Sequence, residues 1–253
     1  MTQRKIQEVR KAQPSRDGNG VAIQRISGMR HVGMDPIPMI DELRSEHRED
    51  FAGGFPTHPH RGMQTLTYMK HGGIIHEDNQ GNRGEIRGGG AQWMSAGRGI
   101  IQSEMPTQDS SGLHGFQLWI NLPQAEKMTA PRYRDIPRHA LARGAGSGFD
   151  LTAIAGQWQA GEVDICGPLE ELASRAGVAD LYLQPGAGIS LVVASTESLL
   201  GYVYGGAIVH DDMDIGSQRL VVTGKGKDFE LHGWGSGCAG AIDARQADWR
   251  AGC

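Results

Sequence analysis

Long apolar segments, paired cysteines and an excess of positive charge are all missing from this chain of 253 residues. No apolar run reaches the ~18 residues that a membrane-spanning helix needs. The first segment, MTQRKIQEVRKAQ, has positive charges but lacks the apolar core of a secretory signal. The net charge of −4 and the pI near 6.2 give no reason to expect direct contact with nucleic acid. We therefore expect a protein that acts neither in a membrane nor on DNA or RNA.

Cysteine is scarce, which excludes a scaffold stabilised by disulfides. Cys166, Cys238 and Cys253 show no metal-binding spacing, and three thiols cannot all pair within one chain. A reducing cytoplasm is the simplest location for such a protein. We expect these thiols to be chemically inert.

Charged residues make up only 21% of the chain, whereas glycine is abundant, with 38 residues. Frequent tight turns between short segments favour strands over long helices. Strands are predicted for Thr65–Met69, Ile74–Glu77, Gln92–Met94, Ile100–Met105, Phe116–Leu122, Leu151–Ala155, Glu162–Cys166, Ala179–Leu183, Ile189–Ala194, Leu200–Val203 and Leu220–Val222. This spacing is typical of a β-sandwich or barrel, and two stacked β-barrels would account for the length. The predicted domains are residues 1–130 and 131–253.

Other segments are expected to be irregular. The chain begins with a predicted edge strand, followed by a loop at 28–38 and a charged patch at 41–50. The polar stretch from Pro123 to about Arg143 has the composition of a linker, and one or two helical turns are expected within Leu169–Ala176.

Two short motifs carry the chemistry of the chain. His58 and His60 are two residues apart, as are Gln102 and Glu104, and on a strand this spacing directs both side chains to one face. Two adjacent strands would bring the four side chains together. Two imidazoles and a carboxylate suit a divalent first-row metal, most naturally iron, with open positions for a substrate. Gln102 would contribute only a weak, neutral oxygen ligand.

Several motifs then appear in an order that resembles the pirin family of bicupins. They are DPIPMIDEL, GGFPTHPHRGMQTLTYMKHGG, HEDNQGNRG, QWMSAGRGI and GFQLWINLP, with a thinner likeness in LYLQPGAGI and LLGYVYGGAIV. The resemblance implies an all-β protein with two cupin (jelly-roll) barrels in one chain and a metal in the N-terminal barrel. It also implies an Fe-dependent quercetin 2,3-dioxygenase-like activity on a flavonol or catecholic substrate. Some members of the family act instead as iron-dependent co-regulators through protein partners.

The family ligands are three histidines and a glutamate, and these fall on His58, His60, Gln102 and Glu104. The family glutamate also suggests that Glu104 is the catalytic base. The chain departs from the family pattern at Gln102, at Met63-Gln64 and at Gly88–Gly90. Its tail, AGAIDARQADWRAGC, does not resemble the family's apolar terminal strand, so we expect the second barrel to be incomplete there.

These departures leave alternatives open. Gln102 could coordinate through its amide oxygen, hold a water, or close an empty site by bonding to Glu104. Without metal, Arg61 or Arg98 could pair with Glu104. One hypothesis is an enzyme whose metal binding is weakened by Gln102. The other is a non-catalytic binding or co-regulatory protein with a degraded site. His76, Glu77 and Asp78 are expected to be solvated hairpin residues.

Overall fold

The computed structural model describes residues 3–27, 34–234 and 239–246, and most of their regular structure is β. In this part of the chain, helical structure is confined to three-residue 3-10 turns. These turns are Arg48–Asp50, Gln124–Glu126, Arg138–Ala140 and Ala173–Arg175. The last of them lies in the segment where one or two helical turns were expected.

The strands between residues 6 and 136 are β1 (Ile6–Lys11), β2 (Gln13–Asp17), β3 (Val21–Ser27), β4 (Met39–Ser45), β5 (Phe55–His60), β6 (Met63–His71), β7 (Gly73–Asp78), β8 (Arg83–Arg87), β9 (Ala91–Ser95), β10 (Ile100–Pro106), β11 (Leu113–Asn121) and β12 (Arg132–Ile136). The remaining strands are β13 (Ala142–Gly146), β14 (Phe149–Ala155), β15 (Gln157–Ala160), β16 (Val163–Cys166), β17 (Gly177–Leu183), β18 (Gly188–Val192), β19 (Ser198–Gly205), β20 (Ala207–His210), β21 (Met213–Gly216), β22 (Arg219–Thr223), β23 (Asp228–Gly233) and β24 (Ala239–Gln246).

The chain forms two compact units. The N-terminal unit contains residues 13–140, and the C-terminal unit contains residues 1–12 together with 141–253. Strand β1 belongs to the second unit because it pairs with β22. The domain bounds predicted from the sequence, 1–130 and 131–253, stay a prediction.

Each unit consists of two antiparallel sheets. In the N-terminal unit the strand orders are β12-β9-β6-β11-β4-β3-β2 and β5-β10-β7-β8. In the C-terminal unit they are β1-β22-β19-β24-β17-β14-β13 and β16-β15-β18-β23-β20-β21. The all-β class and the two jelly-roll barrels predicted from the sequence are therefore confirmed.

The turns form where glycine permits them. Gly72 separates β6 from β7 with a φ of +74°, a left-handed conformation that side chains rarely adopt. Gly84 in β8 is required for a different reason, since a Cβ there would collide with the Tyr133 hydroxyl group of β12. Gly72 thus permits the turn between β6 and β7, and Gly84 lets Tyr133 pack against β8.

Three sequence predictions about strands are wrong. The charged patch at 41–50 begins inside β4, whose acidic residues are buried because Arg25 binds Asp41 and His114 contacts Glu42. The proposed linker contains β12, which extends the seven-stranded sheet by pairing with β9. The tail does contain a strand: β24 lies between β17 and β19 and completes the second sheet through main-chain hydrogen bonds.

Apolar side chains fill the space between the sheets of the C-terminal unit. One cluster contains 18 buried residues, among them Trp158 and Phe229. The indole N–H of Trp158 donates to the Ala155 carbonyl at 2.9 Å, so its polar atom is satisfied in the core. In the N-terminal unit a smaller cluster of eight buried residues includes Phe51 and Met69.

The described segments contain no helix with the length and apolar character needed to cross a membrane. Cys166 is a free, exposed thiol, whereas Cys238 and Cys253, and residues 28–33 of the predicted loop, lie outside the described residues.

Candidate metal centre

Strand register brings the predicted donors together. In the four-stranded sheet, β10 lies between β5 and β7, with Gln102 opposite His58 on one side and Glu104 opposite His76 on the other. Residues directly opposite each other in an antiparallel pair point to the same face. The alternation along β5 and β10 then adds His60 and Glu104 to that face. The structure therefore brings together all four side chains singled out in the sequence.

Neighbouring side chains of this set lie close to one another. The Nε2 atoms of His58 and His60 are 3.0 Å apart, and Gln102 Nε2 lies 3.4 Å from His58 Nε2. Gln102 Nε2 also lies 3.3 Å from Glu104 Oε2. Ligands ~2.1 Å from a metal ion are ~3.0–3.4 Å apart when they are octahedral or tetrahedral neighbours. The spacing of these side chains is thus compatible with one metal ion.

The His58 ring has a defined tautomer. Its Nδ1 lies 2.7 Å from the Pro56 carbonyl oxygen, which can only accept, so Nδ1 carries the proton. Nε2 is then left with its lone pair, directed towards His60 and Gln102. A backbone carbonyl that fixes the second nitrogen in this way is a common feature of histidines that bind metals.

Gln102 is the residue on which the arrangement depends. Its side chain is buried, and its amide oxygen Oε1 has no hydrogen-bond partner. Leaving a buried carbonyl unsatisfied is costly, so this atom would gain from a cation or another donor. Among the residues described, no three His, Cys, Asp or Glu side chains form a group that could hold a metal on their own. The Gln102 amide, which lies near both His58 and Glu104, is therefore needed to make the two histidines and Glu104 one candidate set of ligands.

Glu104 is held from two sides. Besides Gln102, the Nε2 of Gln117 lies 3.4 Å from Oε2, and the Thr67 hydroxyl lies 3.4 Å from Oε1. Burial raises the pKa of Glu104 above its usual value, and the nearby His76 and His58 oppose that rise. Arg61 and Arg98 do not provide these contacts: Arg61 lies against the Met128 sulfur and Arg98 is exposed.

Thr67 and Gln117 belong to a polar row that crosses the facing seven-stranded sheet. The row exists because its members are directly opposite one another on successive strands and so share one face. From β3 to β12 the members are Arg25, Asp41, Gln117, Thr67, Gln92 and Asp135. No short motif announces this row, because its members are scattered over more than a hundred residues. A polar residue isolated within an apolar stretch, such as Gln117 in FQLWI, is the signal that could have revealed it.

His60 is buried beside the other imidazoles, with its ring edge-to-face against Trp119 at 5.2 Å. Burial, together with the nearby His58 and His76, lowers the pKa of His60 to about 4. The ring is therefore neutral at physiological pH. A neutral imidazole is the form that binds a metal ion.

The prediction that His76 and Asp78 are solvated is wrong. Their side chains are 1% and 0% exposed, and the rings of His76 and Tyr133 lie 5.0 Å apart. Burial tends to raise the pKa of Asp78, but hydrogen bonds from the side chain and main chain of Asn82 hold it below its usual value. The sequence resembled an exposed hairpin, whereas the register with β10 places this strand face inside the barrel. Glu77, on the opposite face, is exposed as expected and pairs with Arg83.

A cavity of about 250 Å³ opens beside the donors. Its walls include His58, His60 and Glu104 on one side and Gln117 and Trp119 on the other. Apolar surface comes from Met39, Leu43 and Phe55. An enclosure of mainly apolar walls with a few convergent polar groups is typical of sites for small organic molecules.

Comparison with known proteins gives a consistent result. The Pirin family model matches residues 23–120. A Vibrio cholerae protein provisionally named as a quercetin 2,3-dioxygenase is 40% identical over 229 residues, which is 90% of this chain and 81% of that protein.

Solved structures show the same fold. A quercetin 2,3-dioxygenase from Acinetobacter baumannii superposes with a TM-score of 0.86 at 25% identity, covering 97% of this chain and 87% of that one. The bacterial pirin YhhW from Escherichia coli, crystallised in complex with nickel(II), has a TM-score of 0.69 at 20% identity, with coverage of 95% and 98%. At the latter identity the likeness concerns the fold alone.

Proposed function

This chain belongs to the pirin family, and from that premise we propose that it is a metal-dependent dioxygenase. The proposed metal is a divalent ion, with iron as the first choice, held by His58, His60, Gln102 and Glu104. The proposed reaction is a quercetin 2,3-dioxygenase-like oxidation of a flavonol or catecholic substrate. The names of two relatives support this reaction class.

The observation that carries the proposal is the convergence of four donors, three of which, His58, His60 and Glu104, line a cavity. Three separations of 3.0–3.4 Å connect His60, His58, Gln102 and Glu104 in sequence. The unsatisfied Oε1 of Gln102 gives the site a neutral oxygen that still lacks a partner. The Gln102 amide group is placed with its nitrogen towards His58 and Glu104. Rotation of that amide by a half-turn would direct its oxygen to the same point.

The residues around the proposed metal would have different roles. His58 and His60 supply neutral nitrogen ligands, and Trp119 fixes the orientation of the His60 ring. Glu104 is the proposed catalytic base, because burial makes its carboxylate a stronger proton acceptor than a solvated one. The proton it accepts would come from a substrate hydroxyl group. A bound divalent ion would supply Lewis acidity and a template for substrate and dioxygen.

Gln117 and Thr67 would position the base. The single hydroxyl proton of Thr67 can be donated to only one acceptor, and Gln117 Oε1, at 2.9 Å, is closer than Glu104 Oε1, at 3.4 Å. This bond directs the amide nitrogen of Gln117 towards Glu104. The carboxylate is thus held at Oε2 by two amide groups, and Oε1 has the weaker contact and is the better placed to accept a proton.

A second function is favoured by one feature. Gln102 donates to both His58 and Glu104, and these bonds close the polar site without any ion. A non-catalytic pirin-like protein that binds a small molecule or a protein partner would fit that arrangement. Activity that depends on metal separates the two functions.

The test combines metal content with turnover. We expect purified protein to contain iron, nickel or manganese near one equivalent, and iron-loaded protein to consume oxygen when quercetin is added. His58→Ala should reduce metal affinity at least ~100-fold, because loss of even an indirect partner of a ligand costs ~10–100-fold. His47→Ala, an exposed histidine of the same unit, is the control. Turnover in His58→Ala equal to that in His47→Ala would contradict the enzyme function.

The proposal also includes location and partners. The exposed free thiol of Cys166 supports a reducing compartment such as the cytoplasm. The proposed partner is a small aromatic substrate for the enzyme, or a protein for the second function.

A further inference from the structure

One wall of the cavity is acidic and has no function in the reaction proposed above. Asp41 and Asp17 line the same cavity as His58, His60 and Glu104, and no lysine or arginine side chain is among the described residues that line it. Asp41 is 4% exposed, whereas Asp17 is exposed at the rim. The cavity therefore runs from His58, His60 and Glu104 to the carboxylates of Asp41 and Asp17.

The acidic wall is separated from the donors by one strand. Asp41 on β4 is directly opposite Gln117 on β11, and Gln117 is the residue that contacts Glu104. Neighbouring strands are ~4.8 Å apart, so Asp41 lies one strand farther from the candidate metal centre than Gln117 does. A ligand that reached from the donors to this wall would extend along the polar row.

The carboxylates are only partly compensated. Arg25 donates to both oxygens of Asp41, at 2.9 and 2.7 Å, and to Asp17 Oδ2 at 2.7 Å. One guanidinium thus serves two carboxylates, and Arg25 itself does not line the cavity. Each carboxylate can accept about four hydrogen bonds. The main-chain N–H of Gly18 also donates to Asp17 Oδ1, at 2.7 Å. These bonds are fewer than the two carboxylates can accept, and together with Arg25 the carboxylates carry one net negative charge.

From this geometry we propose that Asp41 and Asp17 form a subsite that accepts hydrogen bonds from the hydroxyl groups of an uncharged polyhydroxylated aromatic ligand, and that the same pair rejects a ligand with an anion at that end. The inference rests on the function proposed for this cavity and specifies its substrate class. A phenolic hydroxyl would donate to a carboxylate oxygen in a mainly apolar enclosure, where such bonds are strong. A carboxylate on the ligand would lose its water and meet no cation.

The test uses three probes with the same catechol ring. They are 3,4-dihydroxybenzyl alcohol, 3,4-dihydroxybenzoate and 3,4-dihydroxybenzylamine, whose substituents are an uncharged hydroxyl, an anion and a cation at neutral pH. Dissociation constants would be measured by calorimetry without oxygen on the full-length chain, both loaded with iron and free of metal. We expect the uncharged and cationic probes to bind at least ~10-fold more tightly than the anion, as for one uncompensated like-charge contact.

Substitution of Asp41 and Asp17 tests whether these carboxylates cause the preference for the uncharged probe. In Asp41→Asn we expect the preference for the uncharged over the anionic probe to shrink about 10-fold, and Asp17→Asn should shift it in the same direction by less, since Asp17 is exposed. Asp109→Asn is the matched control, because Asp109 also pairs with an arginine, Arg87, but lies outside the cavity. Asp17→Asn keeps the test decisive if Asp41→Asn fails to fold.

The outcomes separate the two proposals. Equal affinity for the uncharged and anionic probes, binding of none of them, or a preference unchanged in both cavity variants would overturn the subsite, even if the protein oxidised quercetin. The expected preference without any oxygen consumption would support the subsite and contradict the dioxygenase.

Discussion

The two units have the same two-sheet architecture but fill it differently. Of the 17 buried polar or charged residues in the described parts of the chain, 13 lie in the N-terminal unit and four in the C-terminal unit. The C-terminal interior is occupied by aliphatic and aromatic side chains around Trp158. The N-terminal interior contains the polar row and a cavity.

The two units differ in how their buried polar groups are paired. Burying a polar group without a partner costs about 1–3 kcal/mol, so a polar interior persists only when its groups are paired. In the C-terminal unit the buried Arg4 donates through its two terminal nitrogens to four main-chain carbonyls and to the Thr223 hydroxyl, and only its Nε has no partner among the described residues. In the N-terminal unit the Gln102 oxygen has no partner. An arginine held by carbonyls stabilises a fold, whereas an unsatisfied oxygen beside a cavity suits a ligand.

The largest expected effect concerns the apolar core of the C-terminal unit. Trp158→Ala should lower the free energy of unfolding by ~3–5 kcal/mol, because it removes a fully buried side chain from a close-packed core. Trp119→Ala should cost less, since Trp119 is half-buried at the cavity wall. Denaturant unfolding measures both, with Trp234→Ala as the control because that side chain is 49% exposed. Equal costs for Trp158→Ala and Trp119→Ala would break the comparison.

A second prediction concerns Gln102 in the polar interior of the N-terminal unit. Gln102→His should increase metal affinity ~10–100-fold, because an imidazole replaces a weak amide ligand next to His58 and Glu104. Metal content by elemental analysis after dialysis against a weak chelator measures the gain. Gln80→His on the exposed turn after β7 is the matched control. If the native protein already retained one full equivalent and the variant bound no more tightly, Gln102 would be an adequate ligand and the prediction wrong.

The smallest expected effect, taken per pH unit, concerns the titration of His60. In the folded protein burial lowers the pKa of His60 from 6.5 to about 4, so between those values the unfolded chain binds a proton that the folded chain does not. The free energy of unfolding contributed by His60 should therefore fall as the pH falls from about 6.5, by up to ~1.4 kcal/mol per unit, until about pH 4.

Glu104 acts in the opposite direction. Its pKa is raised by burial, so its contribution to stability falls as the pH rises above 4.5 through that raised value. The His60 contribution is isolated by comparing urea unfolding of the wild type and His60→Asn from pH 4 to 7 in a chelator, with His47→Asn as the control. A wild-type slope no steeper than that of His60→Asn would show that His60 does not titrate in this range.

In the N-terminal unit the sequence predicted the four candidate ligands better than it predicted which neighbouring residues are buried. His58, His60, Gln102 and Glu104 were found because a spacing of two residues is a local signal on a strand. The burial of His76 and Asp78 was missed because it depends on the register between β7 and β10. Strand β4 was missed because Asp41 and Glu42 looked exposed, and their partners Arg25 and His114 are distant in sequence.

The second unit was predicted less well for a related reason. Strand β24 contains Asp243, Arg245 and little apolar sequence, so its pattern does not indicate a buried strand. Its main chain nevertheless pairs with β17 on one side and β19 on the other. A position between two established strands can impose strand structure on a sequence of low intrinsic preference.

That central position of β24 has a consequence for the order of events during synthesis. Among the described strands of the larger C-terminal sheet, β17-β14-β13 and β19-β22-β1 are joined to each other only through β24. The N-terminal unit is complete at residue 140, whereas this sheet must wait for residues 239–246. At about 5–20 residues per second the ribosome needs roughly 5–20 s to cover that interval. The candidate metal centre can thus be assembled on a nascent chain whose second sheet is still two open halves, one of them holding residues 6–11.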